Sequence, residues 1–344
     1  MKKGIIIVIG LVGAFVLYTL VSGGFFREIV SQHIGSISQS LLVSGAEDIA
    51  ISRKDEFLIV SSDDRASRRD GAPMQGGLYY INLKLPFYSL RLISQSFLKP
   101  LYPHGISLLP LDSGKYQLLV INHVGDEHTI ERFLLVGEEL THIETLSDPS
   151  MISPNDVVAI SENEFYFTND HQFRKGFMRV LEDYLGLSLS GVVFSDGEKY
   201  ADVAGGIAYA NGINYDATRK LMYVASPRDF QLNVYNRSED NSLTLIEEIA
   251  TGTGVDNIEF DEEGNLWIGC HPSLLQFAKY AKGNAEAAPS EIIKISYQDV
   301  DNYTVESVFV DDGAIIKAST VAVPYKNQVF IGSVFDDKLV VWDR

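Results

Sequence analysis

The chain has 344 residues, of which 46% are hydrophobic and 22% charged, so it can bury a sizeable core and is not a disordered chain. Its 28 Lys and Arg face 46 Asp and Glu, a formal charge of −18 that excludes general electrostatic binding of nucleic acid and suits binding of a cation. A single cysteine, Cys270, excludes an internal disulfide, a zinc finger and a CxxC redox centre.

Met1-Lys2-Lys3 precedes GIIIVIGLVGAFVLYTLVS at residues 4–22, a run of 19 uncharged and mostly apolar residues. That run is long enough to cross a bilayer as a helix, and the two lysines would hold its N-terminus in the cytoplasm. Residues 1–25 therefore read as a retained membrane anchor, which puts the rest of the chain outside the cytoplasm. A cleaved signal peptide, giving a secreted protein, is the alternative. The sequons Asn236-Arg237-Ser238 and Asn302-Tyr303-Thr304 would carry glycans only in a eukaryotic secretory pathway.

From residue 40 onward short alternating strands and turn residues predict an all-β domain over 26–344, with one helical interruption at 173–187. On that helix Phe173, Phe177, Leu181, Tyr184 and Leu185 share a stripe. Six segments repeat one design: a polar pair, a short apolar strand, a polar turn and a second apolar strand. They begin at Glu47, His104, Asn155, Asn211, Asp256 and Ser319, at intervals of 57, 51, 56, 45 and 63 residues. Six units of about 50 residues predict a six-bladed β-propeller. Two packed sandwiches would not require the same polar pair in each unit.

Equivalent positions in a propeller form a ring around the central tunnel. The opening pairs would bring together Glu47, Asp48, His104, Asn155, Asp156, Asn211, Asp256 and Asn257. Four carboxylates facing one another repel unless they are protonated or neutralised by a cation. An oxygen-only set of carboxylates and amides selects a hard ion, and calcium's six to eight flexible ligands suit a ring better than magnesium's tight octahedron. Asx residues capping turns are the simpler reading of any one of these positions.

These segments resemble the paraoxonase/arylesterase family. The matching stretches are Gly45-Ala46-Glu47-Asp48, Pro103-His104-Gly105-Ile106-Ser107, Val120-Ile121-Asn122-His123, Asn155-Asp156, Phe167-Thr168-Asn169-Asp170-His171, Ala210-Asn211-Gly212-Ile213-Asn214, Val255-Asp256-Asn257 and Trp267-Ile268-Gly269-Cys270-His271-Pro272. They run in order from about residue 40 to the C-terminus. The resemblance implies a six-bladed propeller that hydrolyses lactones and aryl esters with two calcium ions. A catalytic ion would be held by Glu47, Asn155, Asn211, Asp256 and Asn257. A structural ion deeper in the tunnel would use Asp48, Asp156 and the carbonyl of Ile106. The resemblance also places a histidine pair at His104 and His123, and substrate walls at Tyr209 and Val334. The helix at 173–187 would be an amphipathic lid that, with the N-terminus, favours lipid association.

Ester hydrolysis needs a developing oxyanion stabilised and a water activated. Calcium lowers the pKa of bound water less than zinc does, so a separate base is expected: His104 backed by His123, or one of the carboxylates Asp256 and Glu47. Cys270, Trp267 and Trp342 read as core, and Asn169-Asp170-His171 as pocket wall or turn. Two departures from the family pattern stand out. The loop DDRASRRDGAPMQG at 63–76 lacks the family's active-site tyrosine, and the paired cysteines are missing. A membrane-anchored scaffold that assembles other membrane proteins is the non-enzymatic alternative; a gluconolactonase-type hydrolase would instead accept polar sugar lactones.

Overall fold

The computed structural model describes every residue except Met1 and Asp126, and the side chains of residues 2–9 and 11 are also outside the description. Among the described residues six antiparallel sheets follow one another along the chain, each running outward from its innermost strand, with the N-terminal strands Gln32–His33 and Ser36–Leu42 added at the outer edges of the fifth and sixth. The innermost strands are Ala46–Ser52, Pro103–Pro110, Pro154–Ala159, Ile213–Asp216, Gly254–Phe260 and Ser319–Tyr325. These are blades 1 to 6 of a six-bladed β-propeller, and each sequence repeat covers the two inner strands of one blade.

Alternation and burial explain the architecture. The second strand of each blade is covered on both faces by neighbouring blades, so it reads as a continuous apolar run: FLIVSS at Phe57–Ser62, LMYVAS at Leu221–Ser226 and LWIGCH at Leu266–His271 are buried throughout. Between blades 6 and 1 the core contains Ile49, Leu58, Val60, Val321, Val323 and Phe330. Trp267, Trp342 and Cys270 are buried, as their setting in apolar strands predicts. Blade 6 closes the ring. Its outer strand is Ser36–Leu42, which pairs with Lys338–Asp343 through Ile37↔Trp342 and Leu41↔Leu339. Backbone hydrogen bonds thus join the two ends of the propeller where a disulfide is absent.

Among the described residues the α-helices are α1 (Lys2–Ser22), α2 (Arg65–Arg69), α3 (Phe177–Leu185) and α4 (Leu274–Ala281). The helix expected at 173–187 is α3, shorter at both ends. Gly176 at φ 92° precedes it and Gly186 at φ 59° stops it in the left-handed region. The expectation of a single interruption is corrected by α2 and α4. The start of α2 is capped by Asp64, whose carboxylate accepts from the Ser67 amide at 2.9 Å and its hydroxyl at 2.7 Å. Residues 4–9 and 11 of the apolar N-terminal run have side chains outside the described set; among the described residues no helix is long and apolar enough to cross a membrane. The end of α1 rests on α4: the Leu275 amide donates to Gly23 O at 3.4 Å.

Candidate metal centre and active site

The repeated polar pairs sit in a repeated backbone fault. Strand register slips at Ala46/Asp48, Pro103/Ile106, Pro154/Val157, Val255/Ile258 and Ser319/Val321, at the same end of five innermost strands. A bulge frees a residue from the ladder and re-aims its side chain. Here the freed residues include Glu47, His104, Asn155, Asp256 and Asn257; the first four line one cavity and Asn257 bonds to Glu47. Close approach of adjacent blades at this level requires glycine. A Cβ at Gly105 would lie 2.4 Å from Asp156 Oδ1, and one at Gly212 would lie 2.3 Å from Asp256 O. The Gly in His104-Gly105 and Asn211-Gly212 is therefore part of the ring's construction.

Glu47, Asn155, Asn211, Asp256 and Asn257 are all buried. Two of the amides use their N–H groups inside the protein: Asn257 Nδ2 donates to Glu47 O at 3.0 Å and to Glu47 Oε1 at 2.9 Å, and Asn155 Nδ2 donates to Asp170 Oδ2 at 3.4 Å. Four acceptor atoms have no partner: Glu47 Oε2, Asn155 Oδ1, Asn211 Oδ1 and Asn257 Oδ1. Burying unsatisfied oxygens is costly, and four from four different blades form a set of acceptors waiting for a positive donor. Burial, with the Asp256 charge adding to it and Arg65 opposing, raises the Glu47 carboxyl to about 7. Among the described residues no three His, Cys, Asp or Glu converge on one point, so the donor set is mixed and amide-rich. That composition fits a hard, oxygen-seeking cation and does not fit zinc.

Asp48, Asp156 and Ile106 lie one step further along the tunnel, against a second cavity of about 310 Å³. Asp48 accepts the Ile49 and Ile106 amides, each at 2.8 Å, tying blade 1 to blade 2. Asp156 accepts Val157 N at 2.7 Å and Ile213 N at 2.8 Å, tying blade 3 to blade 4. Burial and then the neighbouring carboxylate push both acids up, Asp48 to about 8. Each oxygen keeps a lone pair, so the two fit a shared cation while also serving as inter-blade clamps.

Above the ring lies a cavity of about 390 Å³, lined by Glu47, His104, Asn155, Asn211, Asp256, Tyr209 and Val334 among the expected residues. His123 stands behind His104, and Asn257 behind Glu47. His104 Nε2 faces Glu47 Oε1 at 3.5 Å, and His104 Nδ1 faces His123 Nε2 at 3.2 Å. Burial first, then Arg65 and His123, holds His104 well below the usual imidazole range; burial and then His128 bring His123 down to about 3. Both rings are thus neutral around pH 7. Tyr209 is held at φ 67°, a conformation uncommon outside glycine, with its ring edge-on to His171 at 4.9 Å.

Several participants were not foreseen. Arg65, from the aberrant 63–76 loop, meets His104 Nδ1 at 2.9 Å, and His128 Nδ1 meets His123 Nδ1 at 2.8 Å. His271 Nε2 meets Asp256 Oδ2 at 2.9 Å, with Phe277 of α4 stacked on its ring at 4.0 Å. His171 lies between Asp170 Oδ1 at 2.5 Å and Asp183 Oδ1 on α3 at 2.7 Å, which fastens the lid to the cavity wall. Burial opposes the His171 charge, but the hydrogen bonds to Asp170 and Asp183 outweigh it and raise the imidazole to about 9. The motif Asn169-Asp170-His171 signalled a wall; nothing in it signalled Asp183. The remaining walls are apolar, including Leu187, Leu274, Leu275, Phe277 and Val334. Asn236 and Asn302 are exposed on outer strands of their blades and do not line the cavity.

Comparison with known proteins gives a consistent answer. The arylesterase family model matches residues 28–341. The chain is 36% identical over 240 residues to serum paraoxonase/arylesterase 1 of Homo sapiens, covering 69% of this chain and 67% of that protein. It is 32% identical over 299 residues to serum paraoxonase/arylesterase 2 of Gallus gallus, covering 85% and 84%. Among solved structures, a luciferin-regenerating enzyme superposes with a TM-score of 0.53 at 14% identity, covering 92% of this chain and 94% of that one. A protein described as a putative gluconolactonase gives 0.53 at 11%, covering 92% and 97%. At such identities these two speak for the fold alone.

Proposed function

The chain belongs to the arylesterase family and is a carboxylic ester hydrolase; from that premise we propose that it is a calcium-dependent hydrolase of lipophilic lactones and aryl esters. The observation that carries the calcium is the set of four unpartnered, buried oxygens contributed by four blades. Glu47, Asn155, Asn211, Asp256 and Asn257 would hold the catalytic ion. Asp48, Asp156 and the Ile106 carbonyl would hold a structural one. When bound, the catalytic ion supplies the positive charge that polarises an acyl carbonyl and offsets the developing oxyanion.

The rest is the work of this chain's own groups. The apolar walls take the hydrophobic part of the substrate and exclude water. Tyr209 and Val334 shape the side of the pocket. Two groups on the cavity surface are placed to take a proton from the attacking water: His104, backed by His123, and the Asp256 carboxylate, oriented by His271. Lipophilic substrates follow from the walls and from α3, whose outer face exposes Phe177, Met178, Val180 and Tyr184. Phe25 and Phe26, which follow α1, are exposed too, and with them this face would sit on a lipid surface. Residues 1–25 would anchor the chain and 26–344 form the hydrolase domain outside the cytoplasm, with Asn236 and Asn302 open to glycosylation if that compartment is a eukaryotic lumen.

The test is hydrolysis of a long-chain lactone and of phenyl acetate by the purified chain, with calcium and with chelator. Turnover that chelator abolishes and calcium restores supports the reading. No turnover by calcium-loaded protein would favour a scaffold role, and chelator-resistant turnover would remove the ion from the chemistry.

A further inference from the structure

The 63–76 loop departs from the family pattern, yet it delivers a side chain into the histidine cluster. Arg65 opens α2, and its guanidinium is pinned by three features. Its side chain is only 11% exposed, Asp63 lies 3.7 Å from Nε, and Nη2 reaches His104 Nδ1 at 2.9 Å. Asp63 is itself held by Arg68, and Asp64 caps the helix through Ser67. The guanidinium does not arrive there by surface wandering.

A guanidinium only donates and does not lose its proton. His104 Nδ1, at hydrogen-bond distance from it, must therefore accept, and the ring hydrogen of neutral His104 must sit on Nε2. The neighbouring contacts agree. His123 Nε2, 3.2 Å from the same Nδ1, can share that single lone pair as a second, weaker donor; His123 Nδ1 then accepts, and His128 Nδ1 at 2.8 Å donates to it. In that arrangement the hydrogens run from His128 through His123 to His104, whose own Nε2–H faces Glu47 Oε1 at 3.5 Å.

We infer that Arg65 is a positioning residue that locks His104 in its Nε2–H form, so that His104 presents a hydrogen-bond donor, not a base lone pair, to the cavity. Resting on the hydrolase reading above, this deepens it: between the two candidate bases, the water's proton goes to the carboxylate side, Asp256. The neutral His104 N–H serves as an electrophile toward the acyl or leaving oxygen, a role a neutral imidazole can fill without giving up its proton.

The experiment has two arms. In the first, the full chain is labelled with ¹⁵N-histidine and its imidazole tautomers are read by NMR, with and without calcium. His104, assigned by its loss in His104→Gln, should carry hydrogen on Nε2, and Arg65→Met should shift it toward the Nδ1–H form while Arg65→Lys keeps it. In the second arm, His104→Gln is compared with His104→Phe. A glutamine amide can donate from the same place but cannot act as a base, so it should stay within about tenfold of wild-type kcat, while phenylalanine loses on the order of a hundredfold or more. Arg65→Met should lower kcat with little change in KM, and Arg65→Lys should restore part of it. An Nδ1–H signal for wild-type His104, or a glutamine variant as crippled as the phenylalanine one, overturns the inference. If wild-type protein hydrolyses no ester at all, the hydrolase reading fails, and the tautomer spectrum still decides the role of Arg65.

Discussion

Glu47→Gln in the metal-free protein tests the ring directly, because the cost of its charge can be worked out. Burial, aided by Asp256, raises the folded Glu47 carboxyl from 4.5 to about 7. The folded state thus holds its proton more tightly than the unfolded state. Stability from this group is fully present below pH 4.5 and is lost as pH rises to about 7, at roughly 1.4 kcal/mol per unit, or about 3 kcal/mol in all. Asp48 and Asp156 are displaced in the same direction and share the repulsion, so their costs do not simply add. Glutamine keeps an acceptor for Asn257 Nδ2 and removes the charge. In chelator at pH 8 the variant should melt above wild type, by about 4 °C for a chain of this size, and the gap should shrink to about 1 °C at pH 5. In excess calcium the order should reverse, because wild type gains about 2.7 kcal/mol at a hundredfold excess over Kd and the variant has lost a ligand. Differential scanning fluorimetry of the full chain in mild detergent reads all three conditions. A metal-free variant no more stable than wild type at pH 8 would show that the ring stores no unneutralised charge, and the argument for an ion would lose its basis.

Asp256→Ala should abolish ester hydrolysis and weaken calcium binding, measured by turnover against calcium titration; full activity at micromolar calcium contradicts the assignment. Gly105→Ala drives a methyl into Asp156 at 2.4–2.5 Å and should cost about 1–3 kcal/mol in denaturant unfolding; an unchanged midpoint would mean blades 2 and 3 are not in close contact there. The His171 clasp, raised from 6.5 to about 9, is fully in place below pH 6.5 and lost as pH rises through about 9. Hydrogen exchange on α3 should therefore accelerate above pH 9 beyond its intrinsic rate in wild type, while Asp183→Asn should exchange fast already at neutral pH. Flat protection across that range would detach the lid from the clasp.

What could be read from the residues and what could not divides along a physical line. The ring was legible because six copies of one hairpin must each place a polar residue at the axis, and repetition turns a weak local signal into a strong one. The bulges that do the aiming fall within the repeated pairs Glu47-Asp48, Asn155-Asp156 and Asp256-Asn257. Gly105 and Gly212 are visible in the motifs, although their reason, the close approach of the neighbouring blade at Asp156 and Asp256, belongs to the fold. Arg65, His128, His271 and Asp183 belong to the opposite case. Each occurs once, on a short helix (Arg65, Asp183) or at the end of a strand (His128, His271), and each acts through a partner 5 to 39 positions away. The stretch RASRR reads as a solvated basic turn, and only the Asp64 cap and the Asp63 brace aim one of its guanidiniums inward. Symmetric structure is thus written many times in the chain and can be recovered from it. The groups that break the symmetry are written once, and in this fold those are the groups that orient the histidines, grip Asp256 and fasten the lid.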